Sequence, residues 1–150
     1  MLWFVGLGIS GVESIPYKAV RVLKEADIVY FEQFTSPIYK YQLAKIKKMI
    51  SGKFIDARRW LVEDGVEILK NAKRRKVVLL SYGDPYIATT HIELRTRAIT
   101  EKIKTGSIHA SSSLTSMIGE CGLQFYKIGR IATIMNEMKS LTTPYYVVYK

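Results

Sequence analysis

Short runs of consecutive apolar residues alternate along the chain with stretches in which apolar residues return every three or four positions. The first pattern marks strands buried on both faces, and the second marks helices with one buried stripe. Residues 2 to 8, with Trp3, Phe4 and Val5, form the first apolar run. A helix is predicted from Pro16 to Glu25, with Pro16 in its first turn and Ala19, Val20, Leu23 and Ala26 on one face. Asp27 to Phe31 reads as a second strand. Ser36-Pro37 then opens a helix in which Tyr39, Leu43, Ile46 and Ile50 recur until Gly52 stops the run. Phe54 to Ala57 reads as the third strand.

Val62, Val66, Leu69 and Ala72 predict a further helix that contains Gly65 in its interior. Lys76 to Ser81 carries the clearest strand signal, a continuous apolar run. A helix is predicted from Thr90 to about Lys104, opened by Thr90 and Glu93 at capping-box spacing. Ile108 to Ala110 reads as a short strand, Ser112 or Ser113 as the cap of a helix through Glu120, and Ile128 to Ile134 as one more strand. Strand and helix alternate five times, which predicts an α/β, three-layer domain with a largely parallel sheet of about five strands. After a polar stretch, Tyr145 to Tyr149 is apolar and aromatic, and is expected to open a further element rather than to pack back on the domain.

Gly6, Gly8 and Gly11 spell the G-x-G-x-x-G of dinucleotide-binding proteins, and Glu32 stands where that motif expects an acidic residue. The best helix start falls several residues after Gly11, however, so the helix dipole would lie away from a pyrophosphate in that loop. Gly6 and Gly8 are therefore expected to serve a tight turn, with Gly11 coincidental. Gly83-Asp84-Pro85, at the carboxyl end of the Lys76 to Ser81 strand, forces a second turn. Its Asp84 is either a turn residue bonding its own backbone or a carboxylate presented where open α/β sheets bind ligands.

"VGLG" at Val5 to Gly8, "FTSP" at Phe34 to Pro37, "GDPYIATTHIELR" at Gly83 to Arg95 and "GLQFYKIGRIAT" at Gly122 to Thr133 together resemble the diphthine synthases of the tetrapyrrole methylase superfamily. The first strand and the Gly-Asp-Pro turn are shared across the superfamily, whereas "ATTH" and "GLQFYKIG" are more specific. The resemblance implies an S-adenosyl-L-methionine-dependent methyltransferase, releasing S-adenosyl-L-homocysteine, that methylates the modified histidine of translation elongation factor 2 in diphthamide synthesis. By position, it implies that Ile9, Asp84, Ile87, Ser112 and Ser113 contact the cofactor. Tyr82 stands where the family usually has Pro, and Ser113 where it more often has an apolar residue, so residue 113 is implicated through its backbone.

The resemblance also implies a homodimer and two α/β domains with the cofactor between them. Residues 1–134 would then be a tetrapyrrole-methylase-like N-terminal domain, and residues 135–150 a linker and the start of a second domain. On that reading the 150-residue chain alone is expected to be inactive. A tetrapyrrole or ribosomal RNA methyltransferase of the same superfamily is the alternative enzyme.

Composition adds constraints. With 48% hydrophobic and 11% aromatic residues the chain can bury a core. No apolar run is long enough to span a bilayer, and the chain is expected to be soluble, unexported and cytoplasmic, without a membrane partner. Lys and Arg number 23 against 13 acids, a formal charge of +10 that favours an acidic partner. A basic binding module without catalysis is the reading from a different class. Lys73-Arg74-Arg75-Lys76 fits a solvated helix end and has no aromatic residues among its charges, so direct nucleic-acid binding is not expected. Cys121 reads as a small buried hydrophobe and no metal is expected. His91 reads as a helix-start residue, His109 as a core imidazole in a strand, and no general base is assigned.

Overall fold

A computed structural model describes residues 1–36, 38–132 and 142–149. The chain divides into two compact units, Met1–Ser116 and Met117–Lys150. The first holds a five-stranded, wholly parallel sheet of order β3-β2-β4-β1-β5. Its strands are β1 (Leu2–Gly6), β2 (Ile28–Glu32), β3 (Lys53–Ala57), β4 (Val77–Ser81) and β5 (Thr105–Ile108). The helices are α1 (Tyr17–Glu25), α2 (Lys40–Lys48), α3 (Arg59–Asp64), α4 (Val66–Ala72), α5 (His91–Thr100), α6 (Ser113–Glu120) and α7 (Thr143–Tyr149). This is the expected α/β class.

Strand alternation explains the three layers, because successive side chains on a strand point to opposite faces. Phe4, Tyr30, Val77 and Leu79 pack with Leu61, Ile68, Leu69, Leu94 and Ala98 of α3, α4 and α5. Val5, Val29, Phe31, Val78 and Leu80 pack with Ala19, Val22, Leu23 and Ile46 of α1 and α2 on the other side. β2 and β4 are buried at every position, as strands covered by helices on both faces must be.

Several expectations are corrected. On α1 Ala19 and Leu23 are buried as expected, but the third buried residue is Val22, while Val20 is only half-buried. The helix expected through Gly65 is two helices: Gly65 adopts φ 65° between α3 and α4, a region closed to most side chains, and Val66 is exposed. A Cβ at Gly65 would also lie 2.4 Å from Leu94 Cδ1. The Thr90–Glu93 capping box does not form through side chains; the Glu93 N–H donates to the Thr90 backbone carbonyl at 3.1 Å. α5 ends at Thr100, and the strand expected at Ile108 to Ala110 lies earlier in the chain.

Of the strand expected at Ile128 to Ile134, residues 128–132 form no regular element and residues 133–134 lie outside the described residues. The helix start at Ser36-Pro37 includes Pro37, also outside them, and α2 begins at Lys40. The expected boundary at residues 134–135 falls outside them too. Tyr145 to Tyr149 is helical, within α7. Cys121 is exposed rather than buried. Among the described residues no helix is long and apolar enough to cross a membrane.

Candidate active site

Parallel register aligns the ends of the central strands. Glu32 pairs with Ser81, and Ser81 with Gly6, so β2, β4 and β1 release their loops side by side. Gly6 is required there, since a Cβ on it would lie 2.4 Å from the Gly83 carbonyl oxygen. Gly8 and Gly83, at φ 76° and 69°, exchange N–H donors at 3.1 and 3.0 Å and tie the first loop to the Gly-Asp-Pro turn. Gly11 is not coincidental in conformation: it has φ 60° and sits against the Gln42 side chain. It lies in a 3-10 turn, Gly11–Ser14, and α1 begins only at Tyr17, so no helix start follows it directly.

Asp84 joins three segments. Its Oδ1 accepts the Tyr86 N–H at 2.9 Å, and its Oδ2 accepts the Ala110 N–H at 3.2 Å and contacts His109 Nδ1 at 2.9 Å. Both readings of Asp84 thus hold, because it bonds its own turn and also reaches across to the loop after β5. His109, expected in the core, is instead 68% exposed beside that carboxylate, because β5 has ended by Ile108. His91 shows the reverse. It is the first residue of α5, as expected of a helix start, yet it is buried, with Nδ1 2.9 Å from the Pro85 carbonyl oxygen. The Thr89 hydroxyl donates to the same oxygen at 2.7 Å, so "ATTH" braces the Gly-Asp-Pro turn. Burial lowers the His91 pKa, outweighing the opposing pull of Glu32.

Above these loops lies a cavity of about 310 Å³. Ile9, Asp84, Ile87, Ser112 and Ser113 all line it, together with Glu32, Thr35 and Thr89. The Ser112 Oγ accepts the Thr115 N–H at 3.3 Å and so caps α6. The Tyr82 hydroxyl donates to the Ile9 carbonyl, which places the Tyr that replaces the family's Pro on the same loop. Ala88, also lining the cavity, is held at φ 56°, a strain of about 1–2 kcal/mol for a residue with a side chain. The sequence pointed to Glu32 only as the acidic position of the rejected dinucleotide motif, and gave no indication of Thr35 here. The available signal was a carboxylate closing an otherwise apolar strand.

The site has the room and the mixed lining that a small organic ligand needs. A Cβ on Gly83 would meet nothing nearer than Ser112 Cα at 3.9 Å, which leaves open space between the two loops. Ile9, Ile87 and Leu114 offer apolar wall, and the serine and threonine hydroxyls offer polar contacts. The volume lies at the lower end of the roughly 300–1,000 Å³ common for ligand pockets.

The chain resembles known proteins along most of its length. Over 134 residues the chain is 37% identical to diphthine synthase of Methanosphaera stadtmanae, covering 89% of this chain and 51% of the relative. It is 36% identical over 135 residues to diphthine synthase of Archaeoglobus fulgidus, covering 89% and 53%. Diphthine methyl ester synthase 2 of Candida albicans is 36% identical over 136 residues, covering 90% and 45%. The chain thus spans about half the length of the curated relatives it matches. A crystal structure of diphthine synthase superposes with a TM-score of 0.83 at 30% identity, over 99% of this chain and 58% of that one. Residues 1–146 match the family of tetrapyrrole (corrin/porphyrin) methylases, and the chain belongs to that family.

Proposed function

We propose that this chain is the N-terminal part of an S-adenosyl-L-methionine-dependent methyltransferase of the diphthine synthase type, acting on the modified histidine of translation elongation factor 2. Residues 1–134 form its first domain, residues 135–150 lead into a second, and the working enzyme is a cytoplasmic homodimer. The observation that carries the reading is that Ile9, Asp84, Ile87, Ser112 and Ser113, from three separate stretches, line one cavity at the carboxyl ends of the strands. Open α/β sheets bind ligands there. The diphthine synthase relatives at 36–37% identity favour this acceptor over a tetrapyrrole or an RNA.

The bound donor supplies a methyl group on a sulfonium, open to in-line displacement by an amine. The chain's own residues then need only align the reactants and exclude water. Ile9 and Ile87 provide dry wall. Asp84 locks the two loops that face each other, and the backbone of Ser112 and Ser113 presents polar groups at the opening of α6.

Titration of the isotopically labelled chain with S-adenosylhomocysteine, followed by NMR and calorimetry, tests the reading. Amide signals of Ile9, Gly83, Ile87 and Ser112 are expected to move. Affinity should be weaker than micromolar, which is about −8 kcal/mol, because one domain forms only part of the pocket. Unmoved signals at millimolar ligand would overturn the cofactor assignment, and submicromolar binding would overturn the two-domain assignment.

A further inference from the structure

Glu32 lines this cavity, and behind it a second hydrogen-bond acceptor faces its carboxylate with no donor between them. A carbonyl oxygen can only accept, so His91 Nδ1, 2.9 Å from the Pro85 oxygen, carries the ring proton. Burial holds the ring neutral, and Nε2 is therefore a bare lone pair. It faces Glu32 Oε2 across 4.0 Å, with both side chains only 2% exposed. The other carboxylate oxygen, Oε1, accepts the Thr35 N–H at 2.7 Å, while Oε2 has no donor among the described residues. Ser81 adds a third unmatched atom, and of the three it alone is wholly shut off from solvent. It pairs in register with Glu32 on the adjacent strand and so projects to the same face, and its Oγ is buried without a partner.

Buried polar atoms are ordinarily matched by protein, water or ligand. We propose that the gap between Glu32 Oε2 and His91 Nε2 is a subsite for a primary ammonium group, reached from the cavity that Glu32 lines. An ammonium has three N–H donors and one positive charge. A nitrogen about 2.8 Å from both atoms fits to one side of the line joining them, and the carboxylate balances its charge. Apolar ligands and anions would leave Oε2 and Nε2 unmatched. The inference rests on the methyltransferase reading for the source of the ammonium, which is either the amino-acid end of the methyl donor or the amine of the acceptor.

The test is NMR of the chain labelled with 15N-histidine, reading the Nε2 signal of His91 during titration with three probes. These are methylammonium chloride, S-adenosylhomocysteine and tetramethylammonium chloride, the last having charge without N–H donors. An upfield shift with S-adenosylhomocysteine assigns the donor's ammonium. A shift with methylammonium but not with S-adenosylhomocysteine assigns the acceptor's. In Glu32→Gln the amide places its own N–H donors beside Nε2, so the signal starts shifted and the probe response is lost. No response to either N–H probe, an equal response to tetramethylammonium, or an undiminished response in Glu32→Gln would overturn the subsite. The amides of Gly83 and Ser112 report cofactor binding separately, and the wild-type titration stands whether or not the variant folds.

Discussion

Two hollows at opposite ends of the sheet are similar in size and different in kind. At the amino ends about 260 Å³ is lined by Met1, Trp3, Lys18, Arg21 and Lys76 among others, and at the carboxyl ends the cavity measures about 310 Å³. At the amino ends the side-chain charges remain in water: Lys76 and Glu25 pair at 3.3 Å with side chains 58% and 55% exposed. At the carboxyl ends Glu32, Asp84 and His91 are at most 5% exposed. A polar group taken from water costs free energy unless its partners are held in place. The buried end must therefore be specified atom by atom, and it is there that left-handed backbone at Gly8, Gly83 and Ala88 gathers. Volume alone does not distinguish a functional cavity from a dent between helices and strands.

The contrast can be broken by substitution. Asp84→Ala removes three acceptor contacts and leaves the Tyr86 and Ala110 N–H groups stranded, and it should cost about 3 kcal/mol. Thermal unfolding would then shift down by roughly 10 °C, and a loss no larger than that of a surface pair would erase the distinction between the two ends. A smaller effect is expected from pH. The folded His91 pKa lies below the ordinary value of about 6.5, so below that pH the unfolded chain binds a proton that the folded chain refuses. The contribution of His91 should be complete above about pH 6.5 and decline on acidification by up to about 1.4 kcal/mol per pH unit, until the folded pKa is passed. Urea unfolding across that range should show a shallower slope in His91→Gln, and an unchanged slope would refute the assignment. The smallest effect belongs to the amino end, where Lys76→Ala should change stability by no more than about 0.5 kcal/mol, with high salt reducing the difference further.

How far the fold was legible depended on whether a signal was local. Continuous apolar runs located β1, β2 and β4 because residues buried on both faces leave no polar alternation to misread. The Gly65 break was missed because Val62, Val66 and Leu69 keep helical spacing straight through it; only the left-handed φ and the contact with Leu94, on a different helix, show why the chain turns there. Cys121 was misjudged from an average tendency of its residue type. Within the candidate site the loops could be found in the sequence, since Gly-Asp-Pro and the early glycines announce their turns. His91 was rightly placed at a helix start, but the burial of neither histidine could be read. Whether an imidazole is buried depends on where a strand ends by a residue or two, and β5 ends one residue before His109.

The sequence by itself determined the α/β class, the order of the elements and the loops at which function was to be sought, because periodicity and turn chemistry act over a few neighbouring residues. Only the tertiary structure decided that Glu32 faces His91 and that Asp84 holds His109. Those groups come from segments 25 to 59 residues apart along the chain. Their approach depends on the parallel register of β2, β4 and β1, and no local pattern records that register.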